Sequence, residues 1–248
     1  MLWPPGRPVA ALPEVSTTKG EAEGDGLGPA WLYAALADGM GGHTAGALAS
    51  KMVCEAFIST AKTGEPTDDR LVGGLEAANT AIAEIVAARP ELSGMGSTLV
   101  ASSFTSEGMS WVSVGDSPLY LWRRGEIALL NEDHSLAPAL DQLAREGKIT
   151  EAQARQDPRR HMLRSAITGE DLELVDVSRK PLQIEDGDYF ILASDGIHTL
   201  EQDEIARVVT AFAPDGAVAV AEALIRAVSD MRAPHQDNTT VIAVRPID

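Results

Sequence analysis

The segment from Trp31 to Phe57 constrains the fold of this chain more than any other. Residues 31–37 are almost entirely apolar, which is typical of a strand that is covered on both faces, and the run ends at Asp38. Three glycines follow at Gly39, Gly41 and Gly42, and then apolar residues recur at helical spacing. The segment therefore predicts a buried strand, a carboxylate at its end, a flexible turn and an amphipathic helix.

Three more aspartates stand at the ends of apolar runs. Asp116 ends one run, Asp195 follows a second, and Asp237 precedes a third. A single Asp-Gly pair is more often a simple turn, but strand ends in a packed sheet can bring several carboxylates together. Without neutralisation they repel each other and their pKa values rise. Because all-oxygen ligands favour Mg²⁺ or Mn²⁺ over zinc, the repetition predicts a site for one of these ions.

The ordered motifs resemble those of the bacterial metal-dependent protein phosphatases of type 2C, which are specific for phosphoserine and phosphothreonine. The resemblance extends from about residue 31 to about residue 244. The motifs that carry it are Asp38-Gly39-Met40-Gly41-Gly42-His43, Gly94-Met95-Gly96-Ser97-Thr98, Gly115-Asp116-Ser117, Ser194-Asp195-Gly196 and Asp237-Asn238-Thr239.

The order of helical and strand patterns predicts an α+β protein built in layers. Two helices follow the first strand, and four short β runs between Ser97 and Leu130 predict an antiparallel meander. The resemblance is more specific, because it implies an α-β-β-α sandwich of two mostly antiparallel sheets with metals at one end. We expect residues 1–248 to form a single catalytic domain, since no internal linker is long enough to separate two.

The resemblance also implies how the site works. Asp38 would bridge two Mn²⁺ or Mg²⁺ ions, the Gly39 carbonyl would bind one of them, and Asp195 and Asp237 would hold the other. Asp116 would help Asp195 to bind a third, weaker ion. The catalytic residues are then Asp38, Asp195 and Asp237, and a water bridged by two metals attacks phosphorus without a phosphoenzyme intermediate.

The N-terminal part departs from the family pattern. Relatives usually begin with Arg-x-x-Asn-Glu-Asp, in which the arginine meets the substrate phosphate and an acidic residue binds the second metal. Here Arg7 and Glu14 are seven positions apart rather than four. Arg7 is the candidate for substrate binding and Glu14 for metal binding. The alternative is a divergent or shortened edge strand without either role.

Residues 131–169 resemble the flap segment that lies beside the active site in bacterial relatives and contributes to substrate selection. This polar stretch contains Arg159, Arg160 and Arg164, an isolated basic cluster in an acidic protein. Arginines can bind a phosphorylated segment through charge-assisted hydrogen bonds. Solvated surface side chains are the alternative interpretation.

Composition limits the partners. A net charge of −17, from 37 acidic and 20 basic residues, argues against nucleic acid or an anionic membrane as the main partner. We expect no apolar run to approach a membrane span, and the single cysteine, Cys54, excludes a disulfide within the chain. We expect a monomer in the cytoplasm.

The preferred function is hydrolysis of phosphoserine and phosphothreonine in proteins, opposing a bacterial Ser/Thr protein kinase. Serine-hydrolase, cysteine-phosphatase and Walker-type motifs do not occur in the sequence. One alternative is a phosphatase-like module that has lost catalysis and binds a phosphoprotein, because the Arg-x-x-Asn-Glu-Asp motif is missing. Another is the related sporulation-type branch, which acts on an anti-sigma-factor antagonist.

Overall fold

Two four-stranded antiparallel sheets form the centre of the protein. The structure is a computed structural model that describes residues 32–61, 68–234 and 236–246. Its strands are β1 (Leu32–Leu36), β2 (Gly39–Met40), β3 (Gly96–Ser97), β4 (Leu99–Thr105), β5 (Gly108–Val114), β6 (Leu119–Arg123), β7 (Glu126–Leu129), β8 (Asp176–Val177), β9 (Tyr189–Ala193) and β10 (Val241–Val244). The first sheet has the order β1-β4-β5-β8, the second has the order β10-β9-β6-β7, and β2 pairs with β3.

Helices cover the outer face of each sheet. The helices are α1 (His43–Ala61), α2 (Asp68–Ala88), α3 (Ala137–Arg145), α4 (Glu151–Gln156), α5 (Gln202–Phe212) and α6 (Ala217–Met231). α1 and α2 pack on the first sheet in one apolar cluster, and α5 and α6 pack on the second sheet in another. A third cluster fills the space between the two sheets.

Successive side chains of a strand point alternately into two buried layers. This alternation explains the nearly continuous apolar sequences of the strands. In β1, Tyr33 and Ala35 pack towards α1 and α2, whereas Ala34 and Leu36 pack between the sheets. β9 follows the same rule on the other side. The α-β-β-α sandwich expected from the sequence is therefore confirmed, and the prediction that residues 1–248 form one domain stays a prediction.

The predicted antiparallel meander is wrong. β4 pairs with β5 in the first sheet, but β6 and β7 belong to the second sheet. The chain crosses between the sheets at residues 115–118, where Gly115 adopts a positive φ of 104°. β5 and β6 both carry buried side chains on two faces, so their sequences do not distinguish one sheet from the other.

Two local features depend on tertiary context. Of residues 172–177, only Asp176–Val177 form a strand, and the residue before α6 is Gly216. Cys54 is buried although it lies off the main apolar stripe of α1, because it faces Ala37 at the end of β1. Burial raises the pKa of its thiol to about 12.

Helix α2 contradicts the expectation that no apolar run approaches the length of a membrane span. Its residues Asp69–Ala88 are long and apolar enough to cross a membrane by length and composition, with 28% of the most apolar window buried. Leu71, Leu75 and Ile82 of α2 are packed in the cluster beneath the first sheet, as expected for an amphipathic core helix.

Candidate functional site

Strand ends from both sheets bring four aspartates to one cleft. β1 and β5 are both antiparallel to β4, so they end at the same edge, where Asp38 and Asp116 follow them. β10 is antiparallel to β9, so Asp237, which precedes β10, lies near Asp195, which follows β9. All four line a cleft with a volume of about 570 Å³. Each sheet contributes two carboxylates.

A short hydrogen-bond network fixes the backbone of Asp38. The Asp38 N–H donates to Thr98 Oγ1 (3.0 Å), and the Thr98 N–H donates to the Asp38 carbonyl (2.8 Å). Ser97 Oγ donates to the same carbonyl (2.8 Å), and the hydroxyls of Thr98 and Ser117 share a hydrogen bond of 2.7 Å. Thr98 therefore links the Asp38 turn to the Asp116 turn. Sequence reasoning gave Thr98 no role, although the residue belongs to the Gly94–Thr98 motif.

Gly39 is needed because it packs directly against helix α1. A methyl group on Gly39 would lie 1.9 Å from the carbonyl oxygen of Gly46, a distance that no side chain can tolerate. A methyl group on Gly46 would lie 2.5 Å from the carbonyl oxygen of Gly39. Gly39 lines the cleft, but its carbonyl faces Gly46. Its role as a metal ligand stays a prediction.

Ser194 and Gly196 hold the Asp195 and Asp237 segments together. The Ser194 N–H donates to the Thr240 carbonyl (3.0 Å), and Ser194 Oγ accepts the Thr240 N–H (3.0 Å). Gly196 lies so close to the other segment that a methyl group there would be 2.4 Å from the carbonyl oxygen of Asn238. The glycine of the Asp195-Gly196 pair thus permits close approach of two backbones.

His134 connects the Asp116 turn to the flap. The Gly115 N–H donates to Nδ1 of His134 (3.2 Å), and the His134 N–H donates to the Gly115 carbonyl (3.1 Å). The His134 carbonyl in turn accepts the Arg164 N–H (2.8 Å). His134 is buried, and burial lowers the pKa of its ring, which leaves Nδ1 as an acceptor. Sequence reasoning had not assigned this role to His134.

The carboxylates in the cleft destabilise one another's charged forms. Burial, followed by the charges of Asp195 and Asp237, raises the pKa of Asp38 to about 7. Burial, followed by the charges of Asp195, Asp133 and Asp38, raises the pKa of Asp116 to about 7. Burial and the charge of Asp237 also raise the pKa of Asp195. The cleft therefore favours the binding of protons or cations to these carboxylates.

The donor set fits hard divalent cations. Oδ1 of Asp195 is buried and has no hydrogen-bond partner within the described part of the chain, so one ligand atom is already desolvated. The charge of Asp195 opposes ionisation of Asp38, and a proton or a cation between the two carboxylates would relieve this repulsion. Across residues 32–61, 68–234 and 236–246, no three acidic, histidine or cysteine side chains form a completed ion cage. An ion would have to draw these oxygens together.

The flap forms one wall of the cleft. Residues 161–166 and Thr168 line it. The three arginines of the cluster predicted there have different surroundings. Arg159 pairs with Asp157 (2.8 Å) and Arg160 pairs with Asp141 (2.7 Å), whereas Arg164 lines the cleft.

A second group of acidic residues lines the cleft beyond the flap. These residues, which no sequence pattern had placed there, are Glu170, Asp171 and Glu173. Asn79 of α2 fixes this segment, because its side chain donates to the Glu170 carbonyl (2.8 Å) and accepts the Gly169 N–H (2.9 Å). The two remaining predicted site residues, Arg7 and Glu14, lie outside the described residues.

Comparison with known proteins identifies the family of this chain. The sequence profile of the family described as Protein phosphatase 2C matches residues 24–238. Serine/threonine protein phosphatase PstP of Mycobacterium tuberculosis is 35% identical over 217 residues, which cover 86% of this chain and 40% of PstP. Serine/threonine phosphatase stp of Listeria innocua is 33% identical over 182 residues, which cover 69% of this chain and 70% of that protein.

Solved structures show the same fold. The structure of M. tuberculosis PstP/Ppp has a TM-score of 0.71 and 32% identity, and the match covers 88% of this chain and 92% of that one. The catalytic domain of PstP in complex with two manganese ions has a TM-score of 0.68 and 32% identity, covering 85% and 86%. The chain spans only about 40% of the length of the mycobacterial relatives. It belongs to the protein phosphatase 2C family.

Proposed function

We propose that this protein is a metal-dependent serine/threonine protein phosphatase. The observation that carries the proposal is the convergence of Asp38, Asp116, Asp195 and Asp237 on one cleft, with an unpartnered buried oxygen on Asp195. Its relatives are named as serine/threonine phosphatases, and one of their structures contains two manganese ions. Both facts support the assignment.

Five residues would hold the ions. Asp38 would bridge two Mn²⁺ or Mg²⁺ ions, with the Gly39 carbonyl on one and Asp195 and Asp237 on the other. Asp116 would contribute to a third together with Asp195. When bound, such ions lower the pKa of water and neutralise charge on the phosphoryl oxygens.

The chain itself supplies position and charge. Thr98 and Ser97 hold the Asp38 backbone by three hydrogen bonds, so little reorganisation is needed when a ligand binds. Asp38, Asp116 and Asp195 have raised pKa values, so a divalent cation replaces protons that the cleft otherwise retains. A phosphorylated side chain must then approach from the open side of the cleft, past the flap.

The substrate class is inferred from the family. We infer phosphoserine and phosphothreonine in proteins as substrates, and a bacterial Ser/Thr protein kinase or its targets as partners. We further infer a monomeric, cytoplasmic enzyme that does not engage nucleic acid or a membrane. The charge of −17 supports the exclusion of polyanionic partners.

The decisive experiment is hydrolysis of p-nitrophenyl phosphate and a phosphothreonine peptide in Mn²⁺, in Mg²⁺ and in EDTA. We expect turnover that requires the metal and disappears in Asp38→Ala and Asp237→Ala, because each variant loses a ligand. The matched control is Glu107→Gln, which removes one negative charge from the exposed turn between β4 and β5. Near-normal turnover in Asp38→Ala would refute the mechanism.

The same preparation tests the non-catalytic alternative. A wild-type protein that binds the phosphothreonine peptide in calorimetry but never hydrolyses it would be a phosphoprotein-binding module. That result would direct attention to residues 1–31, which contain Arg7 and Glu14.

A further inference from the structure

Three carboxylates of the cleft, those of Glu170, Asp171 and Glu173, are not among the proposed ion ligands, and their charges oppose that of a phosphorylated substrate. Within the described part of the chain, the lining of the cleft contains seven carboxylates and one cationic side chain, Arg164. The carboxylates belong to Asp38, Asp116, Glu170, Asp171, Glu173, Asp195 and Asp237. A phosphorylated residue carries a charge of about −1.5 to −2 near neutral pH, so it needs a counter-charge beyond the carboxylate edge.

The neighbouring arginines of the flap are already neutralised. Arg160 makes two hydrogen bonds to the carboxylate of Asp141, at 2.7 and 3.0 Å. Arg159 makes two to the carboxylate of Asp157, at 3.0 and 2.8 Å. The side chain of Arg164 forms no ion pair or hydrogen bond with the part of the protein that the structure describes, and it is exposed to solvent. Its guanidinium therefore retains its donors for a ligand.

The backbone that carries Arg164 is held on both sides. Its own N–H donates to the His134 carbonyl (2.8 Å), and the preceding residue, Leu163, forms a bridge with Ser135. The hydroxyl of the following residue, Ser165, donates to the Leu174 carbonyl (2.8 Å) and is buried. Burial of Ser165 leaves Arg164 directed to solvent and the cleft. A fixed backbone lowers the entropy that a contact with a ligand costs.

We propose that Arg164 binds the phosphoryl group of the substrate, in a protein whose N-terminal motif lacks the arginine usual in its family. The inference rests on the proposed phosphatase function and adds a substrate-binding residue to it. A guanidinium binds phosphate oxygens through two parallel N–H donors, which a lysine cannot reproduce. Arg164 and the four aspartates line the same cleft of about 570 Å³, a volume typical of a pocket for one small ligand.

The test compares Arg164→Ala, Arg164→Lys and the control Arg159→Ala in the full chain with Mn²⁺. Arg159→Ala removes the same charge from the same segment at a residue that does not line the cleft. Each variant is assayed for KM with p-nitrophenyl phosphate and with a phosphothreonine peptide, and for competitive inhibition by inorganic phosphate. Thermal melting checks that each variant is folded.

We expect Arg164→Ala to raise all three constants by about tenfold or more, because the variant loses charge-assisted hydrogen bonds to the phosphoryl group. Arg164→Lys should lie between Arg164→Ala and wild type, and Arg159→Ala should stay within about twofold of wild type, since paired surface charges contribute little. Unchanged inhibition by inorganic phosphate in Arg164→Ala would overturn the proposal. So would an effect confined to the peptide, because Arg164 would then contact the flanking residues instead of the phosphoryl group.

Failure of the phosphatase function would be recognised separately. If the wild type shows no metal-dependent turnover, calorimetric titration with the phosphothreonine peptide and with its unphosphorylated counterpart replaces the kinetic assay. A loss of affinity in Arg164→Ala, relative to Arg159→Ala, that is confined to the phosphorylated peptide would then still support Arg164 as the phosphate contact. Equal binding by the two variants would refute it.

Discussion

Replacing Asp38 by asparagine should stabilise the metal-free protein while it removes activity. Asp38→Asn keeps the shape of the side chain and deletes the charge that Asp195 and Asp237 oppose. The folded-state pKa of Asp38, about 7, lies above its ordinary value of 3.8, so ionisation destabilises the folded state. The advantage of asparagine should be absent below about pH 4, grow as the pH rises, and be complete above about pH 7.

The size of the effect follows from this shift. A difference of about three pKa units corresponds to roughly 4 kcal/mol. Asp195 can take the proton in place of Asp38, and Asp38 is only partly buried, so we expect about half of that, roughly 2 kcal/mol. For a chain of this length, the melting temperature should rise by about 4 to 8 °C.

Thermal unfolding in EDTA at about pH 8, repeated at about pH 4, measures the effect. Glu107→Gln, with the same change of charge at an exposed turn, should melt within about 1 °C of wild type at both values. In Mn²⁺ the wild type should melt at a higher temperature than Asp38→Asn, because wild type gains more stability from the ion than the variant does. A melting temperature for Asp38→Asn below that of wild type in EDTA at the higher pH would refute the argument from repulsion.

Two further predictions concern the scaffold. His134→Leu leaves the Gly115 N–H without its acceptor and should lower the free energy of unfolding by about 1 to 3 kcal/mol, whereas His134→Asn retains an acceptor and should lose less. Urea denaturation measures both, and equal losses would contradict the role of Nδ1. Gly73→Ala should raise the free energy of unfolding by about 0.5 to 1 kcal/mol, because it lies in α2 and an added methyl group would meet nothing. Gly74→Ala should lower it, since the methyl group would lie 2.7 Å from the ring of Phe57, and stabilisation of both variants would show that the helix yields there.

The sequence predicted the layers and the carboxylates because both have short-range signatures. An apolar run that ends in Asp-Gly marks a buried strand and its end, as found at Asp38 and Asp195. Antiparallel pairing of β9 and β10 then places Asp237 near Asp195. Predicting these positions required no knowledge of how the two sheets face each other.

The division of strands between the sheets had no such signature. β5 and β6 are separated by only four residues, and the predicted hairpin between them is in fact a crossover. Both faces of each strand are buried, so hydrophobic alternation gave no preference for either sheet. The sequence also did not show which arginines of the flap are paired. Asp141, which neutralises Arg160, is nineteen positions away from it.

The two sheets each provide two of the four aspartates, so the spacing between the layers would govern the affinity for an ion bound between them. That spacing is set far from the cleft, by side chains such as Phe104 and Phe190, whose rings meet edge to face at 5.2 Å. A change of volume in this middle layer would shift one pair of ligands relative to the other without altering any ligand. A bound ion, in turn, would resist sliding of one sheet over the other and so oppose the first separation of the layers during unfolding.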